Sequence, residues 1–401
     1  MLLPCLFLGQ ALQAQEIQIQ IAQSEAAFGE CVGQLQQRAL KENISAAVVE
    51  TDLAAAKFVP RVIELDRKQP EFSQTFHGYY SLRVTDQRVQ LGRQLLAEHG
   101  ELLNSLTRQY GIPPQYLVSF WGLETNFGRY LGKMNVVDSL ATLACDPRRS
   151  EFFTQELFNA LRLIEAGVGS RETLVGSWAG AMGNMQFMPS AYLQFGLDAD
   201  KDGRADLWNS LQDAFTSAAH YLQQLGWQKN WRWGREVILP KGFDYSLAGR
   251  DQTRALREWR KLGVRDTNNN PIAALDDSAA LVIPAGHSGP VFLVYDNFDV
   301  IMKWNRSEFY ALSVGVLADR INGAGQLVVS PPKLKPMSRN QVSAWQQALN
   351  ERGIDAGTVD GIFGSQTKQA LRTFQAQKGL IADGYPDEKT TQALMQKLMS
   401  K

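Results

Sequence analysis

The stretch Trp121-Gly-Leu-Glu-Thr-Asn-Phe-Gly128 sets an acidic residue where an apolar one belongs. Pro113 and Pro114 mark a helix start, because proline suits the first helical turn. Leu117, Phe120 and Trp121 follow at i, i+3 and i+4, one apolar face of a helix, and Glu124 takes the next place on that stripe. Gly128 ends the run. A carboxylate on a core-facing stripe loses hydration, which disfavours its charged form, and the negative end of the helix pushes the same way. Both effects make Glu124 a candidate general acid. The competing reading is a glutamate that turns sideways to solvent or pairs with Arg129. The octapeptide alone leaves both open.

The chain has 401 residues, enough for two domains and a large core. Lysine plus arginine balance aspartate plus glutamate at 41 each, so no nucleic-acid partner is implied. The four histidines, His77, His99, His220 and His287, stand far apart without cysteine or histidine at ligand spacing, and no zinc site is expected. Residues 1–15 carry an apolar run ending in small residues near Ala14, the pattern of an export signal too short to span a bilayer. Export places the protein in the periplasm. Cys5 suggests a lipid anchor to the outer membrane, but the proline before it fits that poorly. Cys31 and Cys145 remain, either as one disulfide or as two buried thiols.

Residues 21 to 110 read mostly helical, with Phe28, Val32 and Leu35 on one side of a first helix and a second pattern from Val84 to Leu106. The aromatic-rich connector Gln69–Tyr80 lies between them, where Tyr79 and Tyr80 are core residues unless the connector lines a cleft. Beyond Glu124, helix stops before Pro147 and restarts at Ser150, with Arg148 and Arg149 at the restart. Gly176-Ser-Trp-Ala-Gly-Ala-Met-Gly-Asn-Met-Gln-Phe-Met-Pro-Ser190 follows. Its glycines break regular helix and let backbone approach a ligand closely, while Ser177 and Gln186 supply polar contacts. A buried packing loop is the alternative.

Asp198, Asp200 and Asp202 then stand at positions 1, 3 and 5 of an EF-hand-like loop, with Gly203 at 6, Arg204 at the carbonyl position 7 and Asp206 at 9. Position 12 is Asn209 rather than glutamate, and Asp213 is the candidate substitute. The competing reading is an acidic loop held by its own turn hydrogen bonds. A helix spans 214–226. Glu236–Leu239, Ala280–Ile283 and Val291–Tyr295 read as short strands of a small β element. Phe298 to Ile321 returns to helix and contains Asn305 and Tyr310, capping and packing residues unless they face a cleft. Three prolines within residues 328–337 make a linker. Residues 338–401 form a small domain with a capping box, Ser338 with Gln341, and two Asp-Gly turns, Asp360-Gly361 and Asp383-Gly384.

Gly122-Leu-Glu-Thr-Asn-Phe-Gly128, the blocks Gly176–Gly183 and Met185–Ser190, and the acidic loop resemble, in order, the lytic murein transglycosylases of the B type. The resemblance covers residues 20 to 325. It implies a mainly α, lysozyme-like catalytic domain (residues 16–327) with a small β insertion and a cleft between lobes. It implies that Glu124 is the sole catalytic acid/base and that Tyr79, Arg149, Ser177, Gln186, Asn305 and Tyr310 bind glycan. It implies no organic cofactor, with a structural calcium in some relatives. Residues 338–399 resemble the three-helix peptidoglycan-binding domain of wall enzymes. The expected activity is cleavage of the N-acetylmuramic acid–N-acetylglucosamine bond with formation of 1,6-anhydro ends. The alternatives are a lysozyme-like hydrolase and a non-catalytic wall-binding scaffold. Peptidoglycan strands are the expected partner, with wall synthases and other wall proteins as further candidates.

Overall fold

The computed structural model describes residues 24–67 and 74–396, so the expected leader at 1–15 lies outside the described residues. The chain is mainly helical with two small sheets. No helix among the described residues is long and apolar enough to cross a membrane. The described residues form two compact units, one from residues 24–67 with Glu124–Ala218, the other from residues 74–123 with 219–396.

In the first unit the helix at 24–41 buries Phe28, Val32 and Leu35, the side its spacing predicts. The helices Val136–Cys145 and Ser150–Glu165 pack along one another and bury Leu140, Leu143, Phe153, Leu157 and Leu161. Asn135 caps the former by accepting the Asp138 N–H at 3.0 Å. Cys31 and Cys145 are joined, with Cα atoms 6.0 Å apart, which decides between the two readings of this pair. Arg38 reaches Glu151 through two nitrogens at 2.7 and 2.6 Å. The hydrogen bonds from Arg38 and from Gln155 pull the Glu151 carboxyl down to about 2. A depressed carboxyl contributes stability that is present above its ordinary value near 4.5 and lost as pH falls toward about 2. Glu151→Gln should therefore lower Tm slightly near neutrality, leave it unchanged near pH 2, and flatten the fall between by the same amount, which is small because the pair is exposed. Melting curves from pH 2 to 7 check this.

In the second unit five antiparallel strands run in the order Gly249–Ala255, Ser278–Val282, Val291–Val294, Gly234–Ile238, Arg265–Asp266. Leu281 pairs with Leu293, and Gly234 with Val294. Three of these strands match the sequence reading. Gly249–Ala255 was not expected: it is a largely exposed edge with a register shift, so it shows no apolar alternation. Trp233 is buried against the helix Glu308–Ile321, where Gly315 leaves room for it; a Cβ there would lie 2.1 Å from the indole.

Several helix boundaries differ from expectation, and the helix expected over 214–226 spans Leu211–Gln224. The pattern from Val84 to Leu106 is two helices, Asp86–Glu98 and Gly100–Tyr110, because His99 closes the first by bonding back to Leu95 O and Gly100 follows it. The aromatic connector is partly helix, Phe76–Arg83, capped by Thr75 through Gly78 N–H at 3.1 Å. The run from Phe298 splits into Asp296–Trp304 and Glu308–Ile321, since Asn305 Oδ1 takes the Ser307 N–H and Ser307 caps the second helix.

The tail helices are Arg339–Asn350, Ser365–Gln377 and Glu388–Met395. The capping box of Ser338 and Gln341 forms as read. The two Asp-Gly turns are built alike. Gln346 Nε2 donates to Asp360 and Thr367 while its oxygen takes the Gly361 N–H. Gln375 does the same with Asp383, Thr390 and Gly384. Residues 328–337 carry no helix or strand, and Glu236 accepts Val328 N–H and Val329 N–H, each at 2.8 Å.

Candidate active site

Glu124 stands in the last turn of the helix Pro114–Thr125 and is half-buried, rather than splayed into bulk water or sealed in the core. The helix does not run on to Gly128. Asn126, Phe127 and Gly128 take left-handed backbone conformations in succession, with φ of 51, 60 and 74°. Thr125 pins this end. It is 1% exposed; its hydroxyl donates to Asn184 O at 2.9 Å and accepts the Gly128 N–H at 3.0 Å. Asn184, also buried, donates its own N–H to Leu207 O and its side-chain amide to Trp208 O, each at 2.8 Å. The residue before Thr125 is thus fixed by a buried hydrogen-bond chain into the glycine-rich loop. Thr125 and Asn184 escaped the sequence reading, because neither carries a signal apart from its partner.

The glycine-rich loop is a set of tight backbone turns. Met134 pairs with Gly176 and Asn135 with Val175 in a two-residue ribbon, and Met182 bridges to Gly176 and Phe187. Ser177 is half-buried; its N–H donates to Ala181 O at 2.8 Å and its hydroxyl accepts Ala181 N–H at 3.0 Å. Gln186 has φ of 50°, and its amide donates to Gly183 O at 3.0 Å and Leu131 O at 3.3 Å. Gly132 faces this loop at φ 90°, and a Cβ on it would lie 2.0 Å from Gly176 O. Gly132→Ala should therefore cost more than about 1 kcal/mol, through both the left-handed backbone and the collision. A thermal melt reads this as a fall in Tm.

Arg149 is in the same unit. It starts the helix Ser150–Glu165 at φ 61°, donates to the buried Asp66 together with Arg148, and lies 4.9 Å over the Phe153 ring. Its guanidinium keeps partial exposure. Every carboxylate buried in this unit, among the described residues, has a structural partner. Asp138 pairs with Arg171 and Asp146 with Arg67; Glu156 accepts Ser190 N–H and hydroxyl at 2.9 and 2.6 Å. Asp206 and Asp213 serve the acidic loop.

In that loop Asp198, Asp200 and Asp202 are exposed and bring carboxylate oxygens within 4.8 Å of one another. Gly203, at φ 105°, makes the sharp turn. Burial works against ionising Asp206, yet hydrogen bonds from Asn209 and the Trp208 N–H, with Arg204 nearby, hold its carboxyl below the usual range. Asp213, the candidate closing ligand, is fully buried, and its two oxygens take the backbone N–H groups of Ala199, Asp200 and Asp206.

The second unit holds the remaining candidates. Tyr79 is 1% exposed, with the Arg83 guanidinium 3.6 Å over its ring, and it meets Phe309 at 5.9 Å between centroids. Tyr310 is buried beside Phe120. Asn305 is half-buried at the helix break. Phe120, which Tyr310 meets, also packs on Trp304, the last residue of the helix that Asn305 follows.

Residues 27–319 match the family model described as "Transglycosylase SLT domain", and residues 338–394 match "Putative peptidoglycan binding domain". Membrane-bound lytic murein transglycosylase B of Escherichia coli (strain K12) is 32% identical over 240 residues, covering 59% of this chain and 65% of the relative's own length. The chain thus spans about two thirds of that relative. SltB3 from Pseudomonas aeruginosa, solved in complex with NAG-anhNAM-pentapeptide, superposes with a TM-score of 0.87 at 40% identity, covering 92% of this chain and 99% of that one. The Escherichia coli lytic transglycosylase Slt35, solved in complex with calcium, gives 0.61 at 28% identity over 73% of this chain and 92% of its own.

Proposed function

The chain belongs to the SLT transglycosylase family, and on that premise we propose that it cleaves peptidoglycan glycan strands as a lytic transglycosylase with Glu124 as its acid/base. The observation that carries this reading is the pinned helix end within a family match spanning residues 27–319. Glu124 is fixed and half-buried, and among the described residues every buried carboxylate of its unit is committed to structure, which favours a one-carboxyl mechanism over the two-carboxyl scheme of most glycosidases.

Protonated Glu124 donates to the oxygen bridging N-acetylmuramic acid and N-acetylglucosamine. The muramyl N-acetyl oxygen steadies the positive centre that develops. Glu124, now charged, takes the proton of the same sugar's 6-hydroxyl, which closes on the anomeric carbon and leaves a 1,6-anhydro end. Ser177, Gln186 and Arg149, which share Glu124's unit, position the glycan. Mass spectrometry of digested sacculi is the test: anhydromuramyl ends are expected, and reducing muramic ends would mean hydrolysis instead. Substrate and disulfide both suit an exported protein working in the periplasm.

The acidic loop fits a calcium ion through Asp198, Asp200 and Asp202, the Arg204 carbonyl and Asp206, with Asp213 ordering the loop from beneath. Calcium at a hundred times its dissociation constant would stabilise the protein by about 2.7 kcal/mol. Tm should rise with added calcium, fall with a chelator, and lose both responses in Asp200→Asn. Equal melting in calcium and chelator would leave the loop to its own hydrogen bonds.

A further inference from the structure

Tyr130 is the most exposed aromatic side chain among the described residues, at 64%. Its backbone is nonetheless held on both sides. The Tyr130 N–H donates to Thr125 O at 3.0 Å, across the left-handed turn that follows Glu124. Next along, Leu131 O accepts the Gln186 amide at 3.3 Å. Gly132 comes so close to the glycine-rich loop that a Cβ on it would meet the Ser177 nitrogen at 2.7 Å. The segment carrying the ring thus bridges the end of the Glu124 helix and the loop of Ser177 and Gln186, within one compact unit.

A single exposed aromatic is ordinary on a protein surface. This one differs in where it stands. Phe127, three residues earlier, is buried and supplies the apolar anchor of the turn, so the fold does not use Tyr130 for that purpose. The Tyr130 backbone is tied to the same groups that hold Glu124 and to the loop proposed to hold the glycan.

We propose that Tyr130 is a stacking platform for a sugar of the glycan strand, outside the pair whose bond breaks. The inference rests on reading the chain as a lytic transglycosylase and adds a residue that recognises the strand. A pyranose of a β-1,4-linked strand presents axial C–H groups on its faces. That apolar, slightly positive surface suits the negative face of a phenol ring. A backbone fixed beforehand reduces the freedom lost when the sugar lands. Glu124, half-buried, works at the scissile bond, and a ring as exposed as Tyr130 meets the strand further out. Such a contact forms alike in the bound strand and in the transition state, so it lowers KM without changing turnover.

On peptide-free glycan strands, Tyr130→Ala should raise KM about five- to tenfold, the size of a lost aromatic stack on a nucleic-acid base. Turnover should stay within about twofold of the parent's. Tyr130→Phe keeps the aromatic face and should restore KM. Both variants should melt with the parent, because the side chain is exposed, so a raised KM reports lost binding and not lost fold. A parental KM in Tyr130→Ala would overturn the platform and leave the transglycosylase reading intact. A KM raised alike in the alanine and phenylalanine variants would also overturn it, since the effect would then belong to the hydroxyl. A fall in kcat at unchanged KM would overturn the position outside the reacting pair. A parent that releases no anhydromuramyl ends from these strands would overturn both the platform and the reading it rests on.

Discussion

Glu124→Gln should abolish sacculus lysis and the release of anhydromuramyl products, with turnover falling by about a hundredfold to ten-thousandfold, the usual contribution of a positioned acid/base. Glutamine keeps the shape and polarity of glutamate and removes only the transferable proton. The local frame should survive, because it depends on the Thr125 hydroxyl, the Asn184 carbonyl and the Gly128 N–H, none of which the substitution touches. The variant should therefore stay folded and still be retained on sacculi. Loss of lysis with retention intact separates lost chemistry from lost binding. A Glu124→Gln protein that lysed sacculi at the parental rate would remove Glu124 from the mechanism. Among the described residues, no buried carboxylate of that unit could replace it without abandoning an ion pair or a backbone N–H.

What the sequence made legible was local. Glu124 declares itself through four residues on one helical stripe, and the acidic loop through its spacing. The capping box at Ser338 spans three residues and forms as written. What stayed hidden depends on partners remote in the chain. Asp66 meets Arg148 and Arg149 from 82 and 83 residues away, so nothing beside Arg149 told how it is held. Thr125 finds Asn184 across 59 residues. The edge strand Gly249–Ala255 went unread because an exposed edge buries neither face and writes no alternation. The helix break at His99 went unread because the apolar period continues across it.

Spacing could not decide the state of Cys31 and Cys145, yet their bond should be among the largest single contributors to stability. It joins residues 114 apart. In the chain-entropy account, closing a loop of about 100 residues removes roughly 4.7 kcal/mol worth of freedom from the unfolded chain, and loss of native disulfides costs about 2–5 kcal/mol. The double variant Cys31→Ser, Cys145→Ser should therefore unfold several degrees lower than the parent, at about 2–4 °C per kcal/mol for a domain of this size. Its fold should persist at ordinary temperature, because Phe28, Val32 and Leu35 bury the same helix independently of the bond and Arg38 still reaches Glu151. A reductant should lower the parent's Tm toward that of the double variant and leave the variant's own Tm unmoved. That second arm separates the cross-link from packing: a variant destabilised by cavities alone would sit below the reduced parent. A parent indifferent to reductant, melting together with the double variant, would show that the bond contributes nothing to the folded chain's advantage.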